Sequence, residues 1–220
     1  MQSEEIAERI WLAIAQGRLA PGARLKEEEL AESFEVGRAR IRAVLLQLSR
    51  EGLVDIVPNR GAQVAAPDVQ EARDVFFLRA TVEVRIAEQL SGNLDHSGAA
   101  ALRDIIQRER TAIAEGRLAD VIRLSGLFHQ KLAELNGSSV LQNILRDLIS
   151  RSSLITAVYR DSGYFNCGPD EHAAIVDALM RGDKEEALHL VTAHIEHLRA
   201  DLNLSTEQQP SRNLRDIFEL

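Results

Sequence analysis

From residue 53 to residue 66 the apolar residues stop recurring every three or four positions, and this one interruption limits the folds open to the chain. Leu53-Val-Asp-Ile-Val57 and Ala62-Gln-Val-Ala-Ala66 are short, β-branched-rich runs around Pro58-Asn59-Arg60-Gly61, which is a hairpin signal. Three helical segments precede it. Ile6, Ile10 and Ile14 recur at four-residue spacing with Ala7 and Trp11 beside them, and the segment stops at Gly17, before a Pro21-Gly22 turn. Residues 27–34 place Leu30, Ala31 and Phe34 on one face, with acids at the start that suit the helix dipole. After Gly37, residues 38–51 carry the stripe Ile41, Val44, Leu45 and Leu48, and Gly52 closes them. Three helices followed by a hairpin predict a winged helix-turn-helix over residues 1–66.

Beyond Pro67 every segment to Asn203 has a helical period. Six helices are expected near 69–91, 97–115, 118–135, 139–159, 169–181 and 183–203, broken at Gly92-Asn93, Gly116, Asn136-Gly137, 161–169 and Gly182. Short connections between amphipathic helices predict an antiparallel bundle of about six helices over 67–203. Residues 204–220 are more polar and read as a C-terminal tail in which Leu214, Ile217 and Phe218 are the candidates for docking. The fold class is therefore mainly α. No internal repeat is visible.

The formal net charge of −8 argues against a nucleic-acid partner until its distribution is considered. Residues 1–66 hold nine Lys/Arg and ten Asp/Glu, and residues 36–50 hold four arginines and no acid. A local patch of one sign is what meets phosphate. Cys167 is the only cysteine, which excludes an intrachain disulfide and a cysteine-based zinc site. The acidic N-terminus and the lack of any apolar run near the roughly 18–20 residues of a membrane span predict a cytoplasmic protein without membrane contact.

In a helix-turn-helix the second helix of the pair enters the major groove, its first turns reaching bases while nearby cations hold phosphates. Arg38, Arg40 and Arg42 occupy those turns. Arg40, Ala43 and Gln47 point away from the Ile41/Leu45/Leu48 stripe and form the expected base-facing set, with Arg60 and Gly61 at the hairpin tip beside the minor groove or backbone. The bland alternative for any one arginine is an ordinary solvated helix face.

The same stretch resembles the GntR family of bacterial regulators. The likeness runs through residues 10–64: Gly17-Arg-Leu-Ala-Pro21-Gly22, Leu25, Glu28-Glu-Leu-Ala31, Phe34, Val36, Arg38, Ile41-Arg42, Leu45, Leu48, Glu51-Gly52-Leu53-Val54 and Asn59-Arg60-Gly61. Where the family has Ser-Arg-x-Pro-Val-Arg-Glu-Ala, this chain has Gly37-Arg38-Ala39-Arg40-Ile41-Arg42-Ala43-Val44. The resemblance implies phosphate anchoring by Arg38 and Arg42 but not the family's base preference. It also implies a homodimer on a pseudo-palindromic double-stranded operator, with repression relieved by a small organic acid.

Residues 70–200 are similar to the helical effector domains (FCD) of the fatty-acid-regulator subfamily. Leu78-Arg79 with Glu83 matches the opening helix, Phe128-His129 the middle one, and Glu171-His172 and Ala193-His194 the last two. In such domains an aspartate and three histidines hold a divalent metal on which a carboxylate effector docks. The resemblance thus assigns His129, His172 and His194 as ligands of zinc or nickel, while Ser125 stands at the aspartate position, four residues before His129. Asp120, nine residues before His129, lies on another side of that helix. The alternative is a pocket without metal, its histidines serving as hydrogen-bond donors. Arg79 either holds the effector carboxylate or pairs with Glu83 one turn on. His96, His189 and His197 read as ordinary helical histidines, and Phe128 as core. Two rival functions remain: a helical domain that only dimerises, for which Ser125 speaks, and a metal-dependent enzyme, against which speaks the absence of a carboxylate at a recognisable catalytic spacing.

Overall fold

The computed structural model describes residues 1–57, 61–159, 168–203 and 214–218. The head opens with α1 (Ser3–Ala15), followed by β1 (Arg24–Leu25), α2 (Glu27–Ser33), α3 (Arg38–Arg50), β2 (Val54–Val57) and β3 (Gly61–Val64). The stripe Ile6, Ile10 and Ile14 of α1 is buried in one core with Leu30 of α2, Phe34 just after it, and Ile41, Leu45 and Leu48 of α3. The sheet runs in the order β1-β3-β2, all antiparallel, with Val54 opposite Val64 and Leu25 opposite Ala62. The expected hairpin is therefore the larger part of a three-stranded sheet. Its extra strand is two residues long, too short to leave a period-two signal.

Gly52 makes the turn from α3 into β2. Its φ of 74° is a left-handed conformation that a side chain disfavours, and it lets the Leu53 N–H reach back to the Leu48 carbonyl at 2.9 Å. A Cβ there would also sit 3.0 Å from Arg151 Cγ of the helical domain.

That domain is α4 (Val69–Leu90), α5 (His96–Ala114), α6 (Leu118–Asn136), α7 (Ser139–Tyr159), α8 (Gly168–Arg181) and α9 (Lys184–Ala200). Asp68, Asp95 and Asp183 cap α4, α5 and α9, each accepting a backbone N–H three residues on at 2.7, 2.6 and 3.2 Å. The main core of the bundle is built from residues such as Ile86, Leu102, Phe128, Ile149, Ile175 and Val191, and a smaller cluster joins Val75 and Phe76 of α4 to Ile155 and Ile195. Gly126 lets α6 and α7 approach closely, since a Cβ there would lie 2.9 Å from Ile149 Cγ2. No helix among the described residues is long and apolar enough to cross a membrane.

The head packs directly on the bundle. Leu154 of α7 is buried in the head's core, Val158 packs against it, and Arg151 lies beside Gly52. Within the bundle Arg151 pairs with Glu71 at 2.8 Å, and at the junction the Tyr159 hydroxyl donates to the Pro67 carbonyl at 2.6 Å. Part of the expected tail is a further short helix, α10 (Leu214–Phe218). Its Leu214, Ile217 and Phe218 are buried in the head, Phe218 meets Phe34 at 4.9 Å between centroids, and Arg18 donates to the Ile217 carbonyl at 2.7 Å.

Candidate metal centre and nucleic-acid interface

On α3 the apolar stripe turns inward and leaves the opposite face to solvent. Ile41, Val44, Leu45 and Leu48 are buried, while Arg38, Arg40, Arg42, Ala43 and Gln47 are all exposed. The cations are not idle. Arg42 makes a two-pronged contact with Glu27, Nε to Oε1 at 2.9 Å and Nη2 to Oε2 at 2.7 Å. Arg38 lies 3.7 Å from Glu28, Arg40 donates to the Met1 carbonyl at 2.8 Å, and Gln47 donates to Glu51 at 3.1 Å. The hydrogen bond from Arg42 holds the Glu27 carboxyl below its usual range. Gly61 is exposed at the start of β3, and Arg60 lies outside the described residues.

The three histidines lie on α6, α8 and α9, and the bundle brings them to one buried point. His129, His172 and His194 are each about 1% exposed or less. Their Nε2 atoms converge, His129 to His194 at 3.1 Å and His172 to His194 at 3.2 Å. The Nδ1 atoms are directed elsewhere. That of His172 meets Glu109 of α5 at 2.9 Å, and that of His194 meets Glu171 of α8 at 2.6 Å. His129 Nδ1 lies 2.5 Å from Glu83 of α4, an ionic contact without hydrogen-bond angles. Phe128, expected in the core, is fully buried and stacks on His172 with centroids 4.0 Å apart.

Tautomers follow from these partners. A carboxylate only accepts, so an imidazole beside one carries its proton on Nδ1 and turns a bare lone pair out of Nε2. Lone pairs facing that of His194 from 3.1 and 3.2 Å repel it unless a cation or a proton lies between them. A tetrahedral ion with nitrogen bonds of 2.0–2.1 Å would hold its nitrogens about 3.3 Å apart, so the donor set fits a zinc-like metal. Among the described residues these three are also the only group of potential ligands that meets so closely.

Burial dominates the electrostatics. It pushes the His129 imidazole down to about 3, against the attraction of Glu83, and takes His172 well below its ordinary value. The same burial pushes the Glu109 carboxyl up to about 7, against the nearby His194 and Arg110 charges. At Glu83 burial acts upward too, but His129 and Arg79 outweigh it and bring the carboxyl to about 2. At neutral pH the two histidines are therefore uncharged, the form a metal needs.

Arg79 is buried on α4. Its Nε donates to Glu83 at 2.9 Å and its Nη1 to the Ser152 hydroxyl at 3.0 Å, whereas its Nη2 is buried with no hydrogen-bond partner among the described residues. The i+4 pair, one of the two sequence readings of Arg79, forms, and one donor is left over. Ser125 is half-buried on α6, one turn before His129, and Asp120 is occupied by Arg117 and Arg123. Glu109 and Ser152 are the site residues that sequence reasoning missed. Both interrupt otherwise apolar stripes, Leu102-Ile106-Glu109-Ala112 and Leu145-Ile149-Ser152-Ile155, and a polar residue on a buried face was the signal available. His197, read as ordinary, donates its Nδ1 proton to Glu171 at 2.6 Å, and that contact raises its pKa.

Known proteins agree on this two-part architecture. Residues 2–64 match the family model described as bacterial regulatory proteins, gntR family, and residues 74–197 match the FCD domain. A Streptomyces ambofaciens protein described as an HTH-type transcriptional regulator in an unstable DNA locus is 33% identical over 83% of this chain and 75% of its own length. The HTH-type transcriptional repressor RspR of Escherichia coli K12 is 25% identical over 82% of this chain and 79% of its own. The crystal structure of a GntR transcriptional regulator from Rhodococcus sp. RHA1 superimposes with a TM-score of 0.74 at 26% identity, covering 90% of this chain and 95% of that one.

Proposed function

Because the chain belongs to the GntR family of bacterial regulatory proteins, with an FCD domain behind its head, we propose that it binds a pseudo-palindromic operator as a cytoplasmic homodimer and answers to a small carboxylate held at the histidine centre. Its activity is transcription regulation and not catalysis. In this reading residues 1–66 meet DNA and residues 67–203 sense and dimerise. Arg38 and Arg42 hold phosphates, Arg40, Ala43 and Gln47 face bases, and Gly61 with Arg60 reaches the backbone or minor groove.

The observation that carries the sensing half is the convergence of three buried imidazoles on their Nε2 atoms, with the Nδ1 atoms of His172 and His194 hydrogen-bonded to carboxyl groups and that of His129 beside Glu83. His129, His172 and His194 would hold zinc or nickel. When bound, a divalent cation supplies positive charge that attracts a carboxylate. The chain's own contribution is Arg79, whose Nη2 is buried without a hydrogen-bond partner among the described residues and is a ready donor to an anion. Filling that donor changes contacts on α4 and α7, the latter being the helix on which the head rests. An effector with such differential contacts shifts the heads, and repression relieved by an organic acid follows.

Genomic-fragment selection followed by footprinting at fixed, moderate salt tests the reading. Protection of a short inverted repeat, weakened by small carboxylates, is the expected result. A protein that selects no fragment with or without zinc would contradict it. Ser125, where a ligand aspartate would stand, favours a second reading in which the helical domain only dimerises. Protection that no carboxylate alters, together with no zinc uptake by wild type or Ser125→Asp, would select that reading.

A further inference from the structure

The resemblance includes Glu83 and Glu171 among its matched residues without giving them a part in the metal site, and it does not include Glu109. These carboxyl groups come from three helices, and each addresses a different imidazole: Glu83 on α4 faces His129, Glu109 on α5 faces His172, and Glu171 on α8 faces His194. Buried acids are rare and costly unless something demands them. Glu109 is 1% exposed, and among the described residues it has no arginine or lysine salt bridge; its polar partner there is His172. Gly168, in the first turn of α8, leaves it room, since a Cβ there would lie 3.3 Å from Glu109 Oε1.

Charge points the same way. Glu83, Glu109 and Glu171 place three carboxyl groups around the imidazoles, and among the described residues the one buried guanidinium beside them is Arg79. A divalent cation at the Nε2 atoms would be compensated by these groups. Ser125 supplies no charge there, so the compensation falls to the outer carboxyl groups.

We propose that Glu83, Glu109 and Glu171 are the positioning residues of the metal centre, an outer ring of carboxylates that locks each Nε2 inward and supplies the negative charge absent at Ser125. The proposal rests on the metal reading above. The three members differ in what else they hold. Glu83 shares its second oxygen with Arg79, so it joins the metal ligand His129 to the candidate effector donor. Glu171 shares its second oxygen with the exposed His197, linking the centre to solvent. Glu109 serves His172 from a closed position.

Outer-shell partners of metal-bound histidines typically contribute 10–100-fold in affinity. Zinc affinity of the full-length protein, read by chelator competition for wild type, Glu109→Gln and Glu171→Gln, provides the test. Each variant keeps the size of the side chain and loses its charge. The expected result is binding about 10–100-fold weaker in both, with a shifted visible spectrum when cobalt replaces zinc. The control Glu134→Gln, on the exposed end of α6, should bind as wild type does. If wild type takes up no zinc, the metal reading and this proposal fall together. If wild type binds and both variants bind equally tightly with unchanged cobalt spectra, the positioning role alone is overturned. Should Glu109→Gln fail to fold, the less buried Glu171→Gln decides the matter.

Discussion

The arginines of α3 face solvent and pair with acids that solvent also reaches, whereas the histidines inside the bundle are paired with carboxyl groups that are buried or mostly buried. Both regions place charge beside opposite or complementary charge at similar distances, yet the consequences diverge. An exposed ion pair contributes about 0–1 kcal/mol, so Arg42 can exchange Glu27 for a phosphate at little cost. A buried pair is expensive to break because the group left behind has no water. The head therefore offers a surface that a polyanion can rearrange, and the bundle offers a buried histidine cluster whose partners are set before any ligand enters.

The sharpest way to break this contrast is to remove one inner ligand. His172→Ala should lower zinc affinity by more than about 1,000-fold, since two imidazoles cannot fill the shell of an ion that prefers four ligands. Chelator competition reads the loss, and near-wild-type affinity would mean that the three nitrogens do not act together. Acid should expose the same burial in metal-free protein. Imidazoles of an unfolded chain titrate near 6.5, while His129 is held down to about 3. Between those values only the unfolded state takes up the proton, so stability is fully present above 6.5 and falls as the pH drops toward 3. Thermal melting of chelated protein from pH 7 to pH 4 should show a steady decline; a flat profile would contradict the assignment.

At the head the effects are smaller and leave the fold alone. Arg42→Ala should weaken operator binding about tenfold and reduce the salt dependence by about one counterion, with thermal stability within about 0.5 kcal/mol of wild type. Anisotropy titrations at several salt concentrations measure both quantities, and unchanged operator affinity would remove Arg42 from the interface. Smallest is Glu27→Gln. Freeing Arg42 from its partner should tighten DNA binding by about two- to threefold at low salt, fading as salt rises. Weaker binding would show that Glu27 orients Arg42 rather than competing for it.

Much of this was legible in the residues. The switch from helical to alternating period located the winged helix, and the spacing of glycines located the six bundle helices to within a few residues. What escaped was either very short or set by tertiary contact. β1 has two residues and exists because β3 offers it an edge. α10 has five residues and is held by packing on Phe34 rather than by its own propensity. The histidine triad was readable only through resemblance, because three ligands on separate helices have no mutual spacing. Its carboxylates were half visible. Glu83 and Glu109 each sit in an apolar stripe where an acid should not be, but which histidine each would meet depends on how the helices pack.

The central claim is that the buried histidines form a metal site. Its most direct measurement is the zinc and nickel content of protein purified without chelator, incubated with either ion and dialysed. About one tightly held ion per chain, lost in His172→Ala, is the predicted result. Protein that retains neither ion after incubation would contradict the account.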